Sequence, residues 1–351
     1  MPSQYRSIQA AVNASSAGDT VLIAPGTYQE AVTVSGSHPG ITIRGQNRNS
    51  VILDGRNGQI VNGITVNANH VSVENLTIRR YAVNGLVFAP AAGGYGGGTG
   101  VLKGWRGSYI TAYDNGLYGV YAFQARSGEF DHIYASGQPD SGIYVGQCRG
   151  CRATISASVA ADNAVGYEDT NANGVVVSHV QMRDNRLGAL LDSNIKEQLA
   201  PESGVVLRDS TITGNDNRHA PTGDNGYGVG VAVTGGDDNL IEHNRIAGQP
   251  IGVLILNATA DTGGYQATDN RVKADSLDDQ SLDLDLLTGS FTQGNCFEDN
   301  HPRQTFPADL EHVAPCGRSV RVHGIAPALP QNPPQVNYLM VPAPPAQPTM
   351  P

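Results

Sequence analysis

Charged and aromatic side chains are scarce in this sequence. Only 15% of its 351 residues are Asp, Glu, Lys or Arg, 6% are aromatic, and Trp occurs once. Glycine, by contrast, occurs 43 times. Because Gly loses the most backbone entropy on ordering, long helices are disfavoured. The composition favours a chain that turns often and argues against a conventional core built on large rings.

The sequence also lacks long apolar runs and an excess of positive charge. No run of 18 apolar residues occurs, so we predict no membrane-spanning segment. Lys and Arg number 22 against 32 Asp and Glu, which gives a formal net charge of −10. A negative body repels phosphate backbones, and we expect no nucleic-acid partner. Polyanionic sugars are disfavoured for the same reason unless cations bridge them.

Cysteine is rare, but its spacing is informative. The four residues fall into two local pairs, Cys148 with Cys151 and Cys296 with Cys316. This pattern favours two disulfides and an oxidising compartment, with free thiols or a metal site as alternatives. The pairs lie too far apart in sequence for a familiar zinc pattern, so we predict no metal site. No secretion signal is visible at Met1, and we interpret the chain as a mature protein that is secreted or held at the cell surface.

A short repeat is the strongest signal in the sequence. Six segments open with Gly and continue as a short strand, at Gly-to-Gly spacings of 23, 24, 22, 40 and 24 residues. The segments begin at Gly119, Gly142, Gly166, Gly188, Gly228 and Gly252. A period of 22–24 residues fits one coil of three short strands and three turns. Asp–Asn pairs at 114–115, 162–163, 184–185 and 224–225 accept positive φ and suit sharp corners.

Stacked coils would align equivalent residues in columns with a spacing of about 4.8 Å. The repeat predicts an inward apolar column made of Val120, Ile143, Tyr167, Ala189, Val229 and Val253. Hydrogen bonds from coil to coil would satisfy an inward amide ladder made of Gln124, Gln147, Asn171 and Asn257. Both columns predict a solenoid rather than a layered globule.

The two ends of the chain differ from the repeats. Ile8, Ala11 and Val12 predict a short amphipathic helix that caps the first coil, which begins at Thr20. Nine of the last 25 residues are Pro. We therefore divide the chain into a β-helix domain, residues 1–323, and a proline-rich tail, residues 324–351. The tail either packs on the flank of the helix or serves as a linker.

Three segments resemble the opening of pectin-lyase-like β-helix proteins, including the NosD-like branch. They are residues 7–13 (SIQAAVN), 18–30 (GDTVLIAPGTYQE) and 41–45 (ITIRG). The resemblance covers about residues 5–300 and implies an all-β fold, a right-handed parallel β-helix that forms a single-stranded solenoid. Residues 142–148 (GIYVGQC) and 165–172 (VGYEDTNA) further resemble a group of uncharacterised actinobacterial secreted β-helix proteins.

The resemblance implies a fold without assigning an activity, because this fold carries lyases, hydrolases, esterases, epimerases and plain scaffolds. The catalytic motifs of pectinesterases, epimerases and polygalacturonases are absent. The segment at 118–121 (YGVY) departs from the epimerase signature after two residues, and 123–125 (FQA) matches the pectinesterases only faintly. No catalytic residue of a family is therefore carried over.

Strand alternation predicts two outward columns on one face of the solenoid. The first contains Tyr121, Tyr144, Glu168 and Leu190. The second, two residues further along each strand, contains Phe123, Gly146, Thr170 and Asp192. The tyrosines could stack on pyranose rings, or they could form a surface ladder that only stabilises the sheet.

Glu168 and Asp192 are the most suggestive acidic pair. They lie one coil apart and two residues apart along the strand, which gives a backbone offset of roughly 8 Å. Inverting glycoside hydrolases hold their two carboxyl groups about 6.5–9.5 Å apart. Asp169 is predicted to point inward, where a carboxylate needs a partner or a raised pKa. Such a broken rule marks either a functional site or a register that is wrong by one residue.

The coil between Gly188 and Gly228 is longer than its neighbours and would place two polar loops beside this face. The first loop, residues 194–203, contains Lys196; the second, residues 214–225, contains Arg218 and His219. These loops would wall a groove, or they are mere surface excursions.

A lyase would need a base such as Lys196 or His219, with Arg218 or calcium to neutralise the sugar carboxylate. Calcium is a possible cofactor, but the cluster of Asp275, Asp278, Asp279, Asp283 and Asp285 is interpreted as a solvated acidic face. The Gly-rich run at 91–100 is interpreted as a loop and not a phosphate cradle.

We therefore predict a polysaccharide-binding β-helix protein with candidate groups for hydrolysis or elimination. The candidate catalytic residues are Glu168, Asp192, Lys196 and His219. The candidate substrate-binding residues are Tyr121, Tyr144, Asp169, Thr170 and Arg218. The alternative is a non-catalytic surface or periplasmic scaffold, or a NosD-like maturation factor. The sequence leaves the sugar, the bond and the oligomeric state open.

Overall fold

A computed structural model describes residues 4–91, 100–222 and 226–351. Most of the Gly-rich run at 91–100 and the corner residues Asp224 and Asn225 lie outside the described residues. The helical elements are α1 (Ile8–Ala14), a 3₁₀ turn (Ala260–Thr262), α2 (Leu310–Val313) and a second 3₁₀ turn (Tyr338–Met340). No helix of the described residues is long and apolar enough to cross a membrane.

Strands account for most of the regular structure, and nearly all are three to six residues long. In chain order they are β1 (Thr20–Ile23), β2 (Gly26–Tyr28), β3 (Val32–Val34), β4 (Thr42–Gly45), β5 (Val51–Asp54), β6 (Ile64–Val66), β7 (Ser72–Arg79), β8 (Leu86–Phe88), β9 (Leu102–Lys103), β10 (Arg106–Tyr113), β11 (Val120–Phe123), β12 (Ala125–Arg126), β13 (Glu129–Asp131), β14 (Tyr134–Ser136), β15 (Ser141–Gly146), β16 (Ala153–Ser156), β17 (Val159–Ala161), β18 (Val165–Thr170), β19 (Val175–Ser178), β20 (Gln181–Arg183), β21 (Leu187–Asp192), β22 (Val206–Arg208), β23 (Thr211–Thr213), β24 (Val229–Thr234), β25 (Leu240–Glu242), β26 (Arg245–Ala247), β27 (Ile251–Leu256), β28 (Arg271–Lys273), β29 (Ser276–Asp278), β30 (Leu282–Leu287), β31 (Cys296–Glu298) and β32 (Thr305–Phe306).

These strands stack into three long parallel ladders, which run along the three sides of the coils. The front sheet contains β3, β6, β8, β11, β15, β18, β21, β24, β27, β30 and β32. The side ladder contains β1, β4, β7, β10, β13, β16, β19, β22, β25, β28 and β31, and the back ladder contains β2, β5, β7, β10, β14, β17, β20, β23, β26 and β29. The long strands β7 and β10 belong to both of the latter ladders. The chain is thus a right-handed parallel β-helix, as predicted.

The register of the front sheet confirms the inward apolar column, with one correction. Val120 pairs with Ile143, Ile143 with Tyr167, and Tyr167 with Ala189. Ala189 then pairs with Val231, and Val231 pairs with Val253. The predicted Val229 is wrong by two residues, because it pairs with Leu187 instead.

The correction has its origin in a column of glycines. A Cβ atom on Gly166 would lie 2.5 Å from the carbonyl oxygen of Gly188, and one on Gly188 would lie 2.3 Å from that of Gly230. Backbone in adjacent coils therefore approaches too closely for any side chain. The equivalent of Gly188 is Gly230 and not Gly228, so the long repeat has 42 residues and the next has 22.

The corners of each coil are built from a residue with positive φ followed by an inward polar side chain. Asp114, Asp162 and Asp184 have φ of 54°, 58° and 56°. The asparagine that follows each of the last two is fully buried and forms a ladder: Asn163 Nδ2 donates to Asn185 Oδ1 at 3.0 Å. Asn185 Nδ2 donates in turn to Asn215 Oδ1 at 2.9 Å. These amides satisfy each other and the backbone, so the solenoid can bury them.

The predicted amide ladder at Gln124, Gln147 and Asn171 is not an internal one. These residues occupy adjacent corners with φ of about 50°, but their side chains bond a neighbouring loop instead of one another. Asn257, the fourth, accepts a hydrogen bond from Ala267 N at 3.0 Å within its own loop. Positive φ turns the side chain away from the direction that strand alternation assumes.

The N-terminal cap and both disulfides are as predicted. Ser7 Oγ accepts from Ala10 N at 3.0 Å to begin α1, and Ile8 and Val12 are buried against the first coil. Cys148 is bonded to Cys151 and Cys296 to Cys316.

The proline-rich tail packs on the flank of the solenoid. Fully buried Arg186 donates through Nη1 to Pro333 O at 3.0 Å and through Nη2 to Pro334 O at 2.8 Å. Close to the other end of the solenoid, buried Arg48 donates to Pro348 O at 3.2 Å. The tail therefore runs back along the helix from its later coils to its first ones.

Candidate functional site

The floor of the candidate site is the outward face of the front sheet, and its register matches the prediction. Tyr121 pairs with Tyr144, Tyr144 with Glu168, and Glu168 with Leu190. Thr170 lies in the second column and pairs with Asp192. The acidic residues therefore lie where the repeat predicted them.

The tyrosines do not form an exposed platform. Tyr144 is 2% exposed, and its ring stacks against Tyr121 with 4.6 Å between ring centroids. Tyr118 packs on both rings, at 4.7 and 4.8 Å, and Phe123 lies 5.7 Å from Tyr121. This aromatic cluster fills the space above the sheet, so the prediction that Tyr144 offers an exposed ring is wrong.

The loop at 194–203 forms one wall and is fastened by the corner amides. Asn171 Nδ2 donates to Asn194 O at 2.7 Å, and Gln124 Nε2 donates to Gln198 Oε1 at 3.1 Å. The Gln147 amide donates to Glu197 Oε2, which also accepts from the Tyr144 hydroxyl at 3.5 Å. The amides that were expected to bond one another thus hold this loop upright beside the floor.

The wall continues through the turn at Ala260–Thr262, and a second wall faces it. Ile195 N donates to Thr262 O at 2.8 Å, and Lys196 Nζ lies 3.7 Å from Asp261 Oδ2. The opposite wall contains Tyr227 at the end of the second insertion, together with Leu329 and Pro330 of the tail. Both insertions in the long coil therefore border the groove.

These walls enclose a cavity of about 610 Å³. Four of the predicted site residues line it: Glu168, Thr170, Asp192 and Lys196. Five others do not: Tyr121 and Tyr144 belong to the aromatic cluster, Asp169 points into the core, and Arg218 and His219 are exposed outside it. The expectation that Arg218 and His219 line the groove is wrong because their loop turns its polar tip away.

Sequence reasoning missed several lining residues. Asp140 precedes β15, Glu197 and Asp261 come from loops, and Tyr118 and Tyr227 each precede a glycine that opens a front strand. A signal for the tyrosines existed in that shared position before Gly119 and Gly228. Asp140 and Asp261 carried no such signal, because loop residues have no fixed place in the repeat.

Two other cavities are less suited to chemistry. One of about 310 Å³ lies beside the capping helix, and Asp19 is the one carboxylate in its described lining. The other, of about 600 Å³, is a shallow depression around α2 at the far end of the solenoid. The central cavity, by contrast, combines floor, two walls and five carboxylates: Asp140, Glu168, Asp192, Glu197 and Asp261.

Glu168 is nearly buried at 6% exposure, and its Oε1 accepts from Thr170 Oγ1 at 3.0 Å. Asp192 lies in the next coil and is half-buried. The observed register gives their backbones the predicted offset of roughly 8 Å. The two carboxyl groups therefore share one cavity in different environments, an arrangement that suits separate acid and base roles.

A polar cluster lies inside the solenoid, directly beneath the acidic part of the floor. Asp169 is fully buried and accepts from Tyr167 Oη at 3.2 Å and from Ala172 N at 3.1 Å. Burial raises its pKa to about 7, against the opposing effect of both hydrogen bonds. Glu202, also fully buried, accepts from Asn239 Nδ2 at 2.9 Å. Burial, followed by the charge of Asp169, raises the pKa of Glu202 well above its usual value.

The inward direction predicted for Asp169 is therefore right, and the core is polar at this coil. Glu202 supplies the second half of the cluster and was noted in the sequence only as a loop residue. Its position at the end of the 194–203 insertion, where the chain re-enters the core, could not be read from the repeat.

The proposed acidic face at residues 275–285 does not form. Asp275 and Asp283 are buried, with Asp275 Oδ1 accepting from Asn244 N at 2.7 Å and Asp283 Oδ2 accepting from Gln304 N at 3.0 Å. Asp285 is also buried, and burial raises its pKa to about 7. Among the described residues, the one close group of three potential metal ligands is Cys296, Glu298 and Cys316, whose cysteines form a disulfide.

The family model for the right-handed β-helix region matches residues 97–272, which is half of the chain. The chain therefore belongs to this β-helix family. No curated protein sequence matches it.

Among solved structures, the chain is similar to the A-module of the mannuronan C-5 epimerase AlgE4 from Azotobacter vinelandii. The two share 16% identity, with a TM-score of 0.64 over 85% of this chain and 90% of the epimerase module. ORF18 of Geobacillus virus E2 is 13% identical, with a TM-score of 0.52 over 84% of this chain and 56% of that protein. Tailspike protein 2 of the Escherichia coli O157:H7 bacteriophage CAB120 is 8% identical, with a TM-score of 0.55 over 76% and 40%. At these identities the similarity shows a shared fold.

Proposed function

We propose that this protein binds a polysaccharide in the central cavity and hydrolyses its glycosidic bonds. The observation that carries the proposal is the placement of Glu168 and Asp192 in one walled cavity of about 610 Å³ on the front face. Clefts of this size with converging polar groups are the usual form of a ligand site. The similar epimerase module, whose title names mannuronan, supports a sugar chain as the ligand class.

The proposed reaction is an inverting hydrolysis. Glu168, the less accessible carboxyl group, donates a proton to the glycosidic oxygen as the bond from that oxygen to the anomeric carbon breaks. Asp192 takes a proton from a water molecule whose oxygen bonds to the anomeric carbon from the opposite face. The products are two shorter chains, and the water supplies the hydroxyl and the hydrogen that they gain. The separation of the two backbones, roughly 8 Å, leaves room for that water.

Elimination is less well supported by the same cavity. A lyase needs a base beside the acidic C–H bond and a cation for the sugar carboxylate. Of the described residues that line the cavity, Lys196 is the one with a cationic side chain, and it lies 3.7 Å from Asp261. Arg218 and His219 lie outside the lining.

An extracellular setting is consistent with this function. Two disulfides persist most readily in an oxidising compartment, and long polysaccharides are found outside cells. We therefore propose that the protein is secreted or held at the cell surface.

The test is incubation with a panel of neutral, amine-bearing and acidic polysaccharides in ¹⁸O-labelled water, with and without calcium. Released oligosaccharides are analysed by mass spectrometry. Products that carry one ¹⁸O support hydrolysis, and proton NMR of the first product reports inversion at the anomeric carbon. Unsaturated products without the label would show a lyase instead. Binding without any product would favour the alternative, a non-catalytic scaffold.

A further inference from the structure

The cavity concentrates negative charge, and this restricts the sugars that it can hold. Five carboxylates line it, and Lys196 is the one cationic side chain among the described lining residues. Lys196 and Asp261 are mutually close at 3.7 Å, with 64% and 74% of their side chains exposed. Their charges offset each other at the rim, which leaves Asp140, Glu168, Asp192 and Glu197 deeper in the cavity.

Neutral groups hold the deeper carboxylates in place. Glu197 accepts from the Tyr144 hydroxyl and the Gln147 amide, and Glu168 accepts from the Thr170 hydroxyl. Such donors fix the direction of a carboxylate and leave its net charge as it is. Even with a proton on Glu168, as the proposed mechanism requires, the cavity retains the charges of Asp140, Asp192 and Glu197.

A uronic acid chain would bring one more negative charge for every sugar into this partly enclosed space. Walls that keep water away lengthen the reach of each charge, because the local dielectric is lower than that of bulk water. The remaining floor is apolar, formed by Leu190, Ala232, Leu254 and Leu256. The C–H face of a pyranose ring fits such a floor.

We propose that the substrate is an amine-bearing polysaccharide, built at least in part from 2-amino-2-deoxyhexose units with free ammonium groups. An ammonium group donates three hydrogen bonds and carries the charge that Asp140, Asp192 and Glu197 lack in a partner of the opposite sign within the lining. The apolar floor receives the ring faces of neighbouring sugars. This inference rests on the proposed function, since it names the substrate of the same site.

The test is isothermal titration calorimetry at pH 6 with matched oligosaccharides of equal length. The probes are β-1,4-glucosamine and α-1,4-galactosamine hexamers, their fully N-acetylated twins, and hexamannuronate with and without calcium. The variant Glu168→Gln is used throughout so that the ligands are not consumed. We expect at least one amine hexamer to bind ~10-fold more tightly than its acetylated twin, with the difference shrinking as salt rises from 20 to 300 mM.

Two variants separate charge recognition from general sugar binding. In the Glu168→Gln background, Asp140→Asn with Glu197→Gln should remove most of the preference for the amine hexamer while leaving the affinity for the acetylated twin within about twofold. Glu242→Gln, on the side ladder, is the matched control and should preserve the preference.

Three results would overturn the inference, and they bear differently on the proposed function. Equal or tighter binding of an acetylated hexamer would leave the polysaccharide site in place and refute the amine preference. Tight binding of hexamannuronate with calcium would mean that the carboxylates serve a bridging metal. If no probe binds, both the amine preference and the polysaccharide site are refuted for these sugars, whereas activity on another polysaccharide would refute the preference alone.

Discussion

The front sheet and the side ladder use the same coils but distribute charge in opposite ways. On the side ladder, Arg106 contacts three carboxylates: Glu74 at 2.7 Å, Glu129 at 2.6 Å and Asp131 at 3.1 Å. Further along, Arg208, Glu242, Lys273 and Glu298 are successive register partners with alternating sign. In the front cavity, five carboxylates are gathered around Lys196 as the one cation of the described lining.

This difference shows where the solenoid serves stability and where it departs from it. Opposite charges on neighbouring strands stabilise a sheet, and like charges destabilise it. A chain that pairs its charges along one face has no structural reason to accumulate them on another. Local violations of this kind are expected at functional sites. The predictions below break or sharpen the contrast, beginning with the largest expected effect.

Removing one carboxylate from each face should have opposite consequences. We expect Glu168→Gln to lower the rate of polysaccharide cleavage by about 10²–10⁴, because an amide cannot donate the proton that the leaving oxygen needs. Glu129→Gln on the side ladder should leave the rate within about twofold. Initial rates on whichever polysaccharide yields labelled product provide the measurement. Equal losses in both variants would contradict the assignment of the acid role to the front face.

The front cavity also has a wall that the side ladder lacks, and Arg186 holds it. Fully buried Arg186 donates to Ala220 O at 2.8 Å as well as to Pro333 O and Pro334 O. Arg186→Ala would leave these carbonyls unsatisfied beside a void, so we expect a loss of about 2–3 kcal/mol in the free energy of unfolding. Urea denaturation measures this loss, and limited proteolysis should show faster cleavage within residues 324–334.

Exposed Arg208 is the matched control for this change, since half of its side chain is exposed. We expect Arg208→Ala to change the free energy of unfolding by less than about 0.5 kcal/mol. A tail that stays protected in Arg186→Ala would show that the proline-rich segment is held by contacts other than this arginine.

The acids beneath the cavity floor should set the pH dependence of stability. Asp169 has its pKa raised from 3.8 to about 7 by burial, so the folded state binds a proton that the unfolded state releases. Where the folded state binds more protons, stability decreases with rising pH. This contribution is complete below about pH 4 and is lost as the pH rises to about 7. Glu202 acts in the same direction.

Asp169→Asn tests this contribution. The amide oxygen can still accept from Ala172 N and the amide group can still meet the Tyr167 hydroxyl, while no charge forms at any pH. We expect the decrease in stability between pH 4 and pH 7 to be shallower in this variant, as measured by urea denaturation across the range. Asp238→Asn, at an exposed corner with φ of 54°, should retain the wild-type profile. A wild-type profile in Asp169→Asn would refute the buried acid as its origin.

The smallest effect should come from the side ladder itself. Arg106 is one-third exposed, and exposed ion pairs contribute little. Arg106→Gln should lower the free energy of unfolding by about 1 kcal/mol or less and leave oligosaccharide affinity unchanged. A large loss of affinity in this variant would show that the two faces are coupled, and the contrast between them would fail.

The repeat was readable from sequence because close backbone contacts constrain it. Only glycine fits where Gly166 and Gly188 meet the next coil, so those positions announce themselves, and the outward register of Glu168 and Asp192 follows. The insertions hid the rest. A 42-residue coil misled the alignment by two residues at Gly228, and loop residues such as Glu197 and Asp261 have no register to predict them. Corner amides such as Gln147 were misjudged because positive φ redirects their side chains.

The buried state of the tyrosines was equally hidden from the sequence. Alternation correctly placed Tyr121 and Tyr144 outward, but it could not show that Tyr118 and Phe123 would pack over them. Burial above a sheet depends on contacts between elements, which strand periodicity does not encode.

The most direct test of the central claim is hydrogen–deuterium exchange on Glu168→Gln with a saturating oligosaccharide of the cleaved polysaccharide. We expect slower exchange in the front-face segments 140–146, 165–170 and 187–198, and unchanged exchange in the side-ladder segments 129–131 and 206–208. Protection that is confined to the side ladder, or absent from the front face at saturation, would contradict the placement of the site in the central cavity.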